Sequence, residues 1–71
     1  MFERKAVQSK DLAIVGYDPE KSELEVTFRA GGVYVYSNVP ADIYQQLLSA
    51  PSHGTFFNKN VKDLFPAQKL R

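Results

Sequence analysis

Polar and apolar positions alternate most cleanly from Glu23 to Arg29. Leu24, Val26 and Phe28 fall on one side, with Glu23, Glu25, Thr27 and Arg29 on the other. A period of two predicts a strand with one dry and one wet face. Leu12 to Tyr17, rich in β-branched and aromatic residues, predicts a strand before it, and Val33 to Val39 predicts one after it. Asp18-Pro19-Glu20-Lys21-Ser22 carries turn chemistry between the first two, because Asp can bond the backbone and Pro presets φ. Glycines at 31 and 32 supply the positive φ values of a tight hairpin between the second and third.

After Val39 the period changes. Pro40 suits a first helical turn, where its missing N–H costs nothing, and Asp42 lies in the same turn, favourable to the helix dipole. Ile43, Tyr44, Leu47 and Leu48 then share one helical stripe, which Ala50-Pro51 ends. Ser52 is placed to cap a second helix, with Thr55 three residues on in a reduced capping box. The second stripe is Phe56, Phe57, Val61, Leu64 and Phe65; Asn58, Lys59, Lys62 and Asp63 lie opposite, and Pro66 stops the helix. The fold class is therefore α+β: a three-stranded antiparallel meander followed by two short helices covering its one dry face.

The hairpin leaves the facing of Tyr34 and Tyr36 open. A three-residue loop, Ala30-Gly31-Gly32, sets Tyr34 opposite Phe28 and Tyr36 opposite Val26, on the dry face. A two-residue Gly31-Gly32 loop turns both rings to solvent, since a slip of one residue reverses every side chain. The size of the domain favours the inward placement.

The chain's 71 residues suffice for one domain, expected to have its core at 9–66, with 1–8 and 67–71 less ordered. Apolar residues reach 44% and aromatics 13%, far above a disordered tail. The absence of cysteine removes disulfides, thiolate metal sites and thiol nucleophiles, and fits a cytoplasmic protein. No apolar run follows Met1–Lys5 as a signal peptide requires, and none approaches the roughly 20 residues of a membrane helix.

Net charge is +1, but it is unevenly spread. From Thr55 onward Lys59, Lys62, Lys69 and Arg71 face only Asp63, whereas Asp18, Glu20, Glu23 and Glu25 cluster earlier. A basic end is the electrostatic footprint a nucleic acid needs, although a lysine-bearing helix face is more commonly just solvated. Tyr34 and Tyr36, two apart on a strand, share a face and could stack bases if exposed. The one histidine, His53, sits between Ser52 and Gly54, where capping and close helix packing account for it without catalysis. No phosphate loop, metal motif or nucleophile elbow is present. The chain is read as non-enzymatic, with neither cofactor nor small-molecule substrate.

Gly31-Gly32-Val33-Tyr34-Val35-Tyr36-Ser37-Asn38-Val39-Pro40, then Tyr44, Ala50-Pro51-Ser52-His53-Gly54 and Phe56-Phe57-Asn58, resemble the KTSC domain. The resemblance runs from about Ser9 to Pro66. That domain is named for the C-terminus of some lysyl-tRNA synthetases and is also found alone in small bacterial proteins. The resemblance implies RNA, either tRNA or a single strand, as a partner, and matches the family's motif tyrosines to Tyr34 and Tyr36. Val35 departs from the polar residue often found between them, and Phe65 from the usual tyrosine. Two functions fit these features. One is RNA binding through Tyr34, Tyr36, Lys59, Lys62, Lys69 and Arg71. The other is protein–protein interaction or homo-oligomerisation through a sheet edge or an outward stripe of Val33 and Val35.

Overall fold

The computed structural model describes residues 3–71. Five antiparallel strands form one sheet in sequence order: β1 (Glu3–Ala6), β2 (Leu12–Asp18), β3 (Glu23–Phe28), β4 (Val33–Tyr36) and β5 (Ala67–Lys69). Between β4 and β5 the chain forms α1 (Ala41–Ser49) and α2 (His53–Asn60). The expected class and both helices are present, but the expected three strands are five. The central meander β2–β3–β4 is flanked on each side by a short edge strand, in stretches outside the expected 9–66 core.

The two extra strands carry no apolar alternation because they bury nothing: every residue of β1 and β5 is exposed. Backbone pairing alone defines them. β1 aligns Lys5 with Val15, and β5 aligns Gln68 with Val35. Leu70 N–H donates to the Val33 carbonyl and Val33 N–H to that of Arg71, both at 2.7 Å, so pairing continues past β5.

In the hairpin, Phe28 N–H donates to the Gly32 carbonyl at 3.1 Å and Gly31 N–H to that of Phe28 at 3.0 Å. The loop is thus Arg29-Ala30-Gly31, and Tyr34 lies opposite Val26 and Tyr36 opposite Leu24. This differs by two residues from the three-residue alternative of the sequence, which keeps both tyrosines on the dry face. Gly31 at φ +108° and Gly32 at +96° occupy backbone that a Cβ would strain.

That face holds the core. Leu12, Val15, Leu24 and Val26 from the sheet, Leu47 from α1, and Val39 and Val61 beside the helices are each 0% exposed; Phe57 of α2 is 2%. Tyr17 and Tyr44 stack at 5.1 Å between β2 and α1, and the Tyr17 hydroxyl donates to the Val39 carbonyl at 2.5 Å. A bulge between Leu12 and Ile14 lets Leu12 and Val15 face the same side three residues apart.

Three details depart from the sequence pattern. Pro40 caps α1 rather than starting its first turn. α2 ends at Asn60, well short of Pro66, as Val61 and Lys62 N–H both converge on the Phe57 carbonyl at 3.0 Å. The stripe is broken there, and Leu64 is 65% exposed. Glu25, expected on the wet face, is buried at 7% because Arg4 of β1 reaches over it, Nε and Nη2 donating at 2.6 and 3.1 Å. That pairing, ahead of the cost of burial, holds the Glu25 carboxyl below its usual range.

Candidate nucleic-acid interface

The loop from Val7 to Asp11 is fixed more firmly than its polar sequence suggests. Val7 N–H donates to the Ala13 carbonyl at 3.0 Å. Ser9 Oγ accepts from the N–H groups of Asp11 and Leu12 at 3.2 and 3.3 Å. Arg29 spans the rest. Its guanidinium donates to the Ser9 and Val7 carbonyls at 2.5 and 3.2 Å, and its N–H donates to the Asp11 carbonyl at 2.9 Å. A side chain that the sequence alternation set on a wet strand face thus organises, from the first hairpin-loop position, a loop twenty residues away in sequence, and nothing in local periodicity announces it.

This loop meets the start of α2. Ser52 caps the helix as expected, its Oγ accepting from Thr55 N–H at 3.3 Å and lying 3.0 Å from the Thr55 hydroxyl. Gly54, buried in the first turn, allows the approach, since a Cβ there would lie 3.1 Å from Asp11 Oδ2 and 3.4 Å from Ser9 Oγ. His53 ties the two helices together. Its Nδ1 is 2.8 Å from the Leu47 carbonyl, which can only accept, so Nδ1 carries the proton.

Between loop, helix and hairpin runs a groove of about 550 Å3. Phe28 and Tyr34 supply its accessible aromatic surface above the buried Leu12, Tyr36 and Phe57, while Gly54, Asn58, Lys10, Asp11 and Lys62 also line it. Across Lys10, Asp11, Gly54 and Asn58 it joins a polar cleft of about 440 Å3 that reaches Gln8, Ser52, His53 and Thr55.

The six residues proposed from sequence separate here. Tyr34 is half-buried, its ring edge-on to Phe28 at 5.5 Å. Tyr36 is 5% exposed and edge-on to Phe57 at 5.3 Å; burial, and then the charges of Tyr34 and Asp63, raise its pKa. Lys62 lines the groove, and Lys69 lies across the β4–β5 pair from Tyr34, its stem beside Gly32. Lys59 is exposed on α2 but lines no part of the groove, and Arg71 contributes charge toward Glu25 on the opposite sheet face. Lys10 and Asp11 were not among the sequence candidates, whereas Asn58 was read beside Lys62 on the polar face of the second helix. Only the fixed loop brings Lys10 and Asp11 to the groove.

Among the described residues no cluster of three or more His, Asp or Glu could hold a metal ion, and no helix is long and apolar enough to cross a membrane.

The KTSC domain model matches residues 8–65, a span that contains β2, β3, β4, α1 and α2 and leaves out β1 and β5. An uncharacterised protein of Stutzerimonas stutzeri is 47% identical over 61 residues, covering 86% of each chain. A lysine–tRNA ligase of Nostoc sp. is 35% identical over 54 residues, which are 76% of this chain and 10% of the ligase. The crystal structure of a KTSC domain protein from Yersinia pestis is 37% identical, covers both chains completely and superposes with a TM-score of 0.96. Matched in sequence over most of its length and in structure over all of it, the chain belongs to the KTSC domain family.

Proposed function

We propose that this domain binds single-stranded RNA, with the groove between the β3–β4 hairpin, the 7–11 loop and α2 as its contact face. The observation that carries the reading is Tyr34: a half-buried ring on the wall of a largely apolar groove that Lys10 and Lys62 also line. A base stacked on such a ring gains about 1–3 kcal/mol, and lysines beside it meet the flanking phosphates. Tyr36 has a supporting role, since its ring is enclosed against Phe57 and its motif position builds the groove floor. Lys69 extends the basic rim, and Lys59 and Arg71 act at longer range. The lysine–tRNA ligases similar to this chain over 54 residues support the choice of RNA as the polymer.

The test is a titration of tRNA and short single strands at two salt concentrations. Neutralising three phosphates gives a log–log salt slope of about −2 to −3, and removing Lys62 reduces its magnitude by about one. Tyr34→Ala weakens binding while Tyr34→Phe retains it. No binding at low salt would end the proposal.

A second reading, association with another copy through the sheet face away from the helices, has its own observation. Ala6, Ile14, Thr27 and Val33 align across four strands; the expected stripe of Val33 and Val35 is covered, each being 9% exposed, so Ile14 and Leu70, at 36% and 50%, carry the accessible apolar surface. Light scattering over a concentration series tests it, and a constant monomer mass would refute it.

A further inference from the structure

We propose that the groove takes a guanine base and that Asp11 selects it. This rests on the groove being the binding face argued above. A groove serving phosphates alone has no use for a carboxylate in its lining, because an ionised carboxylate only accepts hydrogen bonds and repels a phosphate. Yet Asp11 lines the junction of the groove and the polar cleft. Its position is built: its N–H is held by Ser9 Oγ, its carbonyl by Arg29 N–H, and Gly54 leaves room for Oδ2 where any Cβ would crowd it. Its own carboxylate makes no hydrogen bond among the described residues and is exposed to the groove.

What such a group complements is a ligand with donors. Guanine alone among the RNA bases places two adjacent donors, N1–H and the N2 amine, on its Watson–Crick edge, spaced to meet both oxygens of a carboxylate. Adenine and cytosine offer one amino group there, and uracil one N–H between two carbonyls that a carboxylate repels. The rest of the site suits the rest of the base. Tyr34 and Phe28, both half-buried, provide aromatic surface for its face, while Lys10 and Asn58 line the same junction as Asp11 and can donate to O6.

A guanine can arrive in a strand or as a free nucleotide, so the experiment has an arm for each. Fluorescence anisotropy compares short uridine strands carrying one central guanosine, inosine or adenosine, and NMR titration compares guanosine and adenosine monophosphates. The guanosine strand should bind about tenfold more tightly than the adenosine strand, within the range of a bidentate base contact. Inosine, lacking the N2 amine, should fall between them. Asp11→Asn should abolish the difference, with an unchanged circular dichroism spectrum; adenosine-strand affinity should rise rather than fall, because the variant removes a negative charge that repels the strand's phosphates. Equal binding of guanosine and adenosine strands by the native protein, or a preference that survives Asp11→Asn, would overturn the selection by Asp11 while leaving RNA binding standing. Binding of guanosine monophosphate without any strand would keep the guanine site and remove the RNA reading. No binding of strand or mononucleotide would remove both.

Discussion

Two stacked tyrosines offer a sharp test of what holds the core together. Tyr17 and Tyr44 lie with rings 5.1 Å apart and 13° from parallel, and each is 5% exposed. Their hydroxyls differ. That of Tyr17 donates to the carbonyl of Val39, a residue with no exposed surface, whereas that of Tyr44 is buried with no partner among the described residues. Tyr17→Phe strands the Val39 carbonyl in a dry environment, and an unpaired buried acceptor costs about 1–3 kcal/mol. Tyr44→Phe removes a polar atom that already lacks a bond, so it should be neutral or stabilise by up to about 1 kcal/mol, with the ring stack intact. Urea unfolding followed by circular dichroism resolves the two. With a slope of about 1 kcal/mol/M for so small a domain, the Tyr17 variant should lose about 1–3 M in midpoint and the Tyr44 variant should lose nothing. Equal losses, or a larger loss for Tyr44→Phe, would refute the hydrogen-bond account and put the contribution in the rings.

Other outcomes follow from the same geometry. Gly31→Ala, at φ +108° with open space around the new methyl, isolates backbone strain and should cost about 1–3 kcal/mol in the same urea assay. Gly54→Ala gains helix propensity but pushes on Asp11 Oδ2 and Ser9 Oγ; stability should stay within about 1 kcal/mol of native while strand binding weakens in anisotropy. The Glu25 carboxyl is held low by Arg4, so this pair's contribution is present above the unfolded carboxylate range and is lost as pH falls through the folded value. Arg4→Ala should therefore flatten the acid limb of stability against pH and raise the Glu25 midpoint in an NMR titration. At high pH the sign is the opposite. Burial raises the pKa of Tyr36 and Tyr44, so the unfolded chain releases those protons first and stability should fall as pH climbs above the ordinary tyrosine range.

The parts of the fold that bury side chains were legible in the sequence, and the parts that do not were not. Leu24, Val26 and Phe28 announce β3 because one face must be dry, and Ser52 with Thr55 marks the start of α2 because capping is local chemistry. Glu3–Ala6 and Ala67–Lys69 are strands only through backbone pairing with β2 and β4, and no side-chain period can reveal that. Leu64 misled because the helical period continued in sequence after the helix had ended at Asn60. The groove shows the same division. Its tyrosines stood out in the sequence as a motif, but Lys10 and Asp11 reach it through a loop that Arg29 holds from a distance.

The most direct test of the groove as the contact face is a 1H–15N correlation spectrum of the whole chain, titrated with a guanosine-containing strand. Binding in the groove should concentrate shifts at Asp11, Tyr34, Gly54, Asn58 and Lys62, with Ile14, Thr27 and Val33 on the opposite sheet face unmoved. Shifts gathered on that opposite face, or none at all at low salt, would contradict it.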